Sequence, residues 1–167
     1  KRPFASPFDI FRAKDAADYS EDGVMYVDQA EPVDFGASSL LGEEGFGEGS
    51  QVKLLYQRSG MSLTYVWFKS GFPLPRHSHN ADCLYFIVAG SLKIGVEELG
   101  PGDGFFIGVD VPYTYTPGEN GVEVLEFRTS NNFDFKMLGG TPAWMEKAVE
   151  TLRARRGNWP TETTPSG

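Results

Sequence analysis

The chain has 167 residues, carries 15 Lys and Arg against 23 Asp and Glu, and has a formal charge of −8. That length suits one compact core and argues against two full-sized domains. The negative charge repels phosphate backbones and anionic lipid headgroups, so neither nucleic acid nor a membrane surface is an expected partner.

A single cysteine excludes an intramolecular disulfide framework, and no apolar run approaches the roughly 18 residues of a membrane-spanning helix. A cytoplasmic protein is the default expectation. The sequence opens at Lys1-Arg2-Pro3 without a methionine, which leaves targeting open. Aromatic residues at 14%, with 20 Gly and 11 Pro, point to many short, tightly turned elements around bulky packing residues, an all-β composition.

Residues 1–50 show no sustained periodicity and include Glu43-Glu44-Gly45-Phe46-Gly47-Glu48-Gly49-Ser50, a run that makes no regular helix. They read as an arm with edge strands. Phe4, Phe8, Ile10, Phe11, Met25, Tyr26, Val27 and Val33 give the arm enough apolar area to dock on a neighbouring surface, including that of a partner subunit.

Residues 51–130 read as the barrel core. Val52, Leu54 and Tyr56 alternate with polar residues, and Met61, Leu63, Tyr65 and Trp67 do so after Arg58-Ser59-Gly60, so two paired strands are predicted. Leu84 to Ala89 forms an apolar run expected to be a buried strand ended by Gly90-Ser91. Leu92 to Val96, Phe105 to Ile107 and Val122 to Arg128 supply further strands, with a turn at Pro101 to Gly104 and a hairpin at Gly118 to Gly121. Short strands without intervening helical segments predict a closed or sandwiched antiparallel sheet and exclude alternating β and α units.

In residues 131–157, Thr141-Pro142 opens the one credible helix, with Trp144, Met145, Ala148, Val149 and Leu152 at helical spacing. Arg153, Arg155 and Arg156 read as its solvated face. The tail, residues 158–167, is rich in Pro, Thr and Glu and is expected to be loose.

The chemistry concentrates at His77 and His79, the only two histidines in the chain. In an extended segment, residues two apart share a face, so both imidazoles point the same way. The alternative is a pair of polar residues on a solvated loop after Pro75-Arg76.

The run Gly71-Phe72-Pro73-Leu74-Pro75-Arg76-His77-Ser78-His79-Asn80-Ala81-Asp82-Cys83, continuing to Gly90, resembles the first motif of the cupin superfamily: Gly, five residues, His-x-His, three or four residues, Glu, six residues, Gly. Pro101-Gly102-Asp103, continuing to Pro112-Tyr113, resembles the second, in which a Gly-Asp turn leads through a strand to Pro-His. The likeness covers residues 52–128. It implies a double-stranded β-helix (jelly-roll) barrel with one C-terminal helix, and a divalent metal in the barrel mouth. Cys83 stands where the family carries Glu and Tyr113 where it carries a third His.

The resemblance therefore implies His77, His79 and Cys83 as metal ligands, with zinc or iron foremost and nickel, manganese or copper as further options. Cys83 lies four residues beyond His79 and faces inward as a thiolate ligand or as a small buried hydrophobe. Asp82 is the reserve ligand, reachable only through a bulge. Tyr113 is a candidate catalytic acid or donor, or else a core residue.

Tyr65, Trp67, Tyr85, Phe106 and Tyr115 either surround the site with aromatic surface for a substrate or fill the core. Arg76, Lys69 and Arg128 could each anchor a carboxylate or phenolate, although surface charge is the ordinary use of such residues. Leu125 and Phe127 suit a barrel interior, so Glu126 and Arg128 are expected to point outward.

The leading functional reading is a metal-dependent enzyme acting on a small organic substrate, aromatic or oxygenated, of the lyase or isomerase type or a dioxygenase. The alternative is a non-catalytic small-molecule binder with a degenerate metal site; a storage barrel is a third reading. A homodimer is expected from the arm and from the habit of the family.

Overall fold

The computed structural model describes residues 6–18, 23–28 and 42–167. Strands β1 (Ala17–Asp18) and β2 (Met25–Asp28) come from the arm, followed by β3 (Ser50–Arg58) and β4 (Met61–Phe68), which pair antiparallel around the Ser59-Gly60 turn. Then come β5 (His77–Ser78), β6 (Cys83–Ile94), β7 (Glu97–Leu99), β8 (Gly104–Ile107), β9 (Thr116–Arg128) and β10 (Phe133–Met137). Helix α1 (Pro142–Arg155) closes the series, and the Thr141 hydroxyl accepts from the Trp144 N–H at 3.2 Å, as its cap position predicts.

Among the described residues the strands form two sheets. One runs β1-β3-β4-β9-β6-β7, with β8 also on β6; the other is β2-β10-β5, its β2 and β10 parallel. This is the jelly-roll barrel with a C-terminal helix that the sequence predicts.

Alternation decides the interior. Ser62, Thr64, Val66 and Phe68 of β4 face in, as do Cys83, Tyr85 and Ile87 of β6 and Val122, Val124, Glu126 and Arg128 of β9. These sets meet in register: Val66 and Ile87 both lie opposite Val124, and Thr64 and Tyr85 both lie opposite Glu126. Burial of Ile87, Leu92, Val122 and Val124, all at 2% exposure or less, stabilises the fold by about 1.5–3 kcal/mol each. Met145, Ala148, Val149 and Leu152 of α1 join the same core.

Four expectations are corrected. The run Leu84 to Ala89 is not buried throughout, and Gly90-Ser91 does not end it. β6 continues to Ile94, with Leu84, Phe86 and Val88 exposed on its outer face. Gly118 to Gly121 is not a hairpin turn but part of β9. The reason for both strand corrections is common: β6 and β9 pair along most of their length, and register shifts at Ile87/Ala89 and Gly90/Leu92 absorb the glycines as bulges. Gly90 has φ +77°, and a Cβ there would collide with the Gly121 carbonyl.

The tail is not loose. Trp159 is fully buried with its indole N–H on the Ser70 carbonyl (3.0 Å), Glu162 accepts from the Ser70 N–H and hydroxyl, and Ser166 donates to Glu123. Large aromatic burial outweighs the polar composition that suggested disorder.

The fourth correction concerns Glu126 and Arg128, which point inward and are buried. Leu125 and Phe127 take the outer face beside Leu63, Leu84 and Phe86. Both faces of this sheet are apolar, so the apolar pair did not mark the interior.

In the arm, Val24 is buried against Leu54, Ala81 and Phe133, whereas Phe8, Ile10 and Val27 are exposed; Phe4 and Val33 lie outside the described residues. Arg153 and Arg156 pair with Glu44, and Arg155 with Glu119, at the surface. No helix among the described residues is long and apolar enough to cross a membrane.

Candidate functional site

The two imidazoles are brought together by β5, which pairs with β10 on one side and is bridged to Tyr113 on the other, through His77 N–H to the Tyr113 carbonyl (3.0 Å) and Tyr113 N–H to the His77 carbonyl (2.9 Å). Their ring centroids lie 4.9 Å apart at 77°. Each is fixed by a backbone carbonyl: His77 Nδ1 donates to Pro75 (2.7 Å) and His79 Nδ1 to Asp134 (2.6 Å). A carbonyl only accepts, so the hydrogen sits on Nδ1 and each Nε2 keeps its lone pair.

Asp134 is itself locked to Asn80. Its carboxylate accepts from the Asn80 N–H (2.7 Å), and its N–H donates to the Asn80 side-chain oxygen (2.9 Å). Phe135 stacks on His77 at 4.6 Å, and Phe133 stands edge-on to His79 at 5.5 Å.

A chain of polar groups leads away from His79. The Tyr113 hydroxyl donates to His79 Nε2 at 3.4 Å and shares a short hydrogen bond with the Tyr85 hydroxyl. Tyr85 accepts from Arg128 Nη2 (3.2 Å), whose Nη1 donates to Glu126 (2.8 Å). The guanidinium also lies over Phe133, 4.5 Å from the ring centroid. Three buried side-chain polar atoms in this region have no hydrogen-bond partner, Arg128 Nε, Thr64 Oγ1 and Trp67 Nε1.

The electrostatics follow from burial. Desolvation lowers His77 to about 4 against the Pro75 hydrogen bond, with the Arg128 charge adding to the lowering. Desolvation, then Arg128 and His77, lower His79 to about 3. Both rings are therefore neutral at pH 7. Burial pushes the Tyr113 hydroxyl well up, with Glu126 adding to it, so Tyr113 holds its proton. Burial opposes the charge on Arg128, but the adjoining Glu126 raises its pKa and the guanidinium stays ionised. A cavity of about 680 Å³ opens over His77, His79, Tyr113, Glu126 and Arg128 and is walled by Val66, Phe68, Leu74 and Phe135.

Neither a family model nor a curated protein sequence matches the chain. Among solved structures, an RmlC-like cupin from Shewanella frigidimarina aligns at 20% identity over 50% of this chain and 78% of that one, with a TM-score of 0.47. KdgF from Halomonas sp. aligns at 23% identity over 48% and 79%, with a TM-score of 0.45. The polyketide cyclase RemF from Streptomyces resistomycificus aligns at 17% identity over 62% of this chain and 84% of that one, with a TM-score of 0.52. The chain has the cupin fold.

Within this fold, His77, His79 and Tyr113 lie together. Tyr85 is buried behind Tyr113, which it touches through its hydroxyl. Tyr115 is core, packed on Tyr113, Phe68 and Phe105.

Two residues expected at the site point away from it. Phe106 is 61% exposed on the outer face. Tyr65 lies on the outer face of β4, where its hydroxyl donates to Glu123 (2.5 Å). Both follow from strand parity, since their inward neighbours are Thr64, Val66 and Phe105. Trp67 shares Tyr65's parity but still contributes to the cavity lining, with the Lys69 ammonium 5.1 Å from its ring.

Cys83 faces inward at 2% exposure, yet among the described residues no three His, Cys, Asp or Glu side chains gather as a metal site. Its register partners are Arg128 and Ile107, and burial pushes its thiol up to about 12. Asp82 instead caps a loop, accepting from the Val109 N–H at 3.1 Å.

A divalent metal thus fits this fold at two protein positions. The carbonyl-fixed Nδ1 and unprotonated Nε2 of His77 and His79 are the form that metal-binding histidine takes, and at His79 a metal would displace the Tyr113 hydroxyl from Nε2. The neutral thiol, the protonated phenol and the salt-bridged Glu126 do not supply further charged ligands.

The polar pair Glu126 and Arg128 is the part of the site that sequence reasoning placed wrongly. Their even parity with Val122 and Val124 tied them to that set but, with the opposite set also apolar, did not say which set faces in.

Proposed function

We propose that this cupin is an enzyme that holds a divalent metal, zinc or iron, on His77 and His79 and transforms a small organic molecule in the cavity by proton transfer, as a lyase or isomerase does. The observation that carries the reading is the pair of neutral imidazoles, each pinned at Nδ1 by a carbonyl and presenting Nε2 toward a cavity of about 680 Å³. Imidazole nitrogens suit zinc and iron, and a metal bound here would act as a Lewis acid on a substrate oxygen.

The chain's own residues do the rest. Phe135 and Phe133 hold the rings in place, and Val66, Phe68 and Leu74 exclude water. Tyr113 keeps a proton on Oη at the wall of the cavity, and Tyr85, oriented by Arg128, can replace a proton that Tyr113 gives up. Two protein nitrogens leave the other coordination positions to water or substrate.

A second reading, a small-molecule binder without catalysis, is favoured by one observation: the charge that the imidazoles feel is the Arg128 cation, which opposes a dication.

Metal analysis of tag-free protein grown in metal-replete medium separates the two. The enzyme reading expects about one equivalent of zinc or iron per chain, lost in His77→Ala and in His79→Ala while circular dichroism shows the fold intact. Metal-free wild-type protein that also fails to take up zinc or iron in dialysis ends that reading and leaves the binder.

A further inference from the structure

The chain is acidic, but the cavity is not. Its charged lining residues are Arg128, Lys69 and Glu126, two cations against one anion, while the two imidazoles are uncharged. Arg128 is 2% exposed and already spends Nη1 on Glu126 and Nη2 on Tyr85, leaving Nε as a buried donor with no partner. A buried donor left unpaired is costly, so such atoms mark where a missing acceptor belongs.

The other end of the space is apolar. A second cavity of about 430 Å³ shares Phe68, Leu74 and Phe135 with the first and is otherwise lined largely by side chains such as Phe46, Phe72, Met137 and Trp144.

We propose that the ligand of this cupin is an amphipathic carboxylate, its anionic head held at Arg128 and its aliphatic or aromatic body running past Phe68 and Phe135 into the apolar cavity. The inference rests on the reading of this cavity as a small-molecule site, but not on the metal. The unpaired Nε donor completes its hydrogen bonding on a carboxylate oxygen, and the surplus positive charge of the cavity is neutralised. An amide of the same shape brings a donor where an acceptor is wanted and leaves that charge unmatched.

The test is calorimetric titration of metal-stripped protein with matched pairs: octanoate against octanamide, and propionate against propionamide. Octanoate is expected to bind at least about tenfold more tightly than octanamide, as a buried charge-assisted hydrogen bond allows, and at least about tenfold more tightly than propionate, through its added methylenes.

Arg128→Gln should erase the preference for the acid. Because that change breaks a buried ion pair and can unfold the chain, Glu126→Gln serves alongside it. Glu126→Gln, which frees Arg128 of its counter-ion, should strengthen octanoate and leave octanamide unchanged.

Equal affinity for acid and amide, no gain from chain length, or no binding of any of the four overturns the proposal, whatever the metal analysis gives. Discrimination for the acid in a protein that never takes up metal upholds it and removes the metal-dependent reading alone.

Discussion

Lowering the pH from 7.5 to 5 in metal-stripped protein should remove about 4 kcal/mol of stability through the two site imidazoles. His77 and His79 have an ordinary value of 6.5 and are lowered in the fold to about 4 and about 3, chiefly by desolvation. The unfolded chain takes up protons below 6.5 that the folded chain refuses. The stability is therefore fully present above that pH and is lost as the pH falls toward each folded value. At pH 5 each ring costs about 2 kcal/mol, a sizeable part of the roughly 5–15 kcal/mol that holds a domain together.

Urea unfolding followed by tryptophan fluorescence reads this directly, since Trp159 is fully buried. The His77→Gln/His79→Gln double variant should lose less than half as much over the same interval. The reasoning is refuted if wild type and double variant lose the same amount between pH 7.5 and 5. Such a result would mean that the imidazoles are hydrated and protonate equally in both states.

Three further outcomes follow from separate parts of the molecule. The Cys83 thiol, held up to about 12 by burial, should stay unreacted with a water-soluble disulfide reagent at pH 8 until urea unfolds the chain; stoichiometric labelling within minutes under native conditions would contradict its placement. Trp159→Ala should cost about 3–5 kcal/mol in chemical denaturation, because the indole fills a fully buried site against Phe72 and loses its bond to Ser70; a loss under 1 kcal/mol would mean that the tail is not docked.

The outer face carries Leu84, Phe86, Val88, Phe106 and Phe127, together about 400 Å² of exposed apolar surface, near what the core of a standard two-fold interface needs. A second copy of this chain is the partner expected there. Sedimentation equilibrium should give a dimer that Phe86→Glu with Phe106→Glu converts to a monomer, and a wild-type protein that stays monomeric at about 100 µM would exclude it.

The apolar character of that outer face explains where sequence reasoning failed. Alternation in β9 tells which residues travel together: Val122, Val124, Glu126 and Arg128 in one set, Leu125 and Phe127 in the other. It does not tell which set faces in when both are partly apolar, and the more hydrophobic pair proved to be outside. The same ambiguity assigned Tyr65 and Phe106 to the site. Where one face was clearly polar or the local chemistry was specific, the reading held, as in the Thr141 cap and the inward Cys83. Composition misled in the tail, because one tryptophan with a vacant core position outweighs several polar neighbours.

The sequence by itself determined that His77 and His79 share one side of an extended segment, because strand period acts over a few residues; that Tyr113 belongs near them was implied only by the resemblance to the cupin motif. Only the tertiary structure decided what surrounds them. Asp134, 55 residues beyond His79, supplies the carbonyl that sets its tautomer, and β9 turns Arg128 toward the rings that the family pattern would pair with charged ligands. Those relations depend on which strands lie side by side when the barrel closes, and closure is a property of the whole sheet that no local window of residues contains.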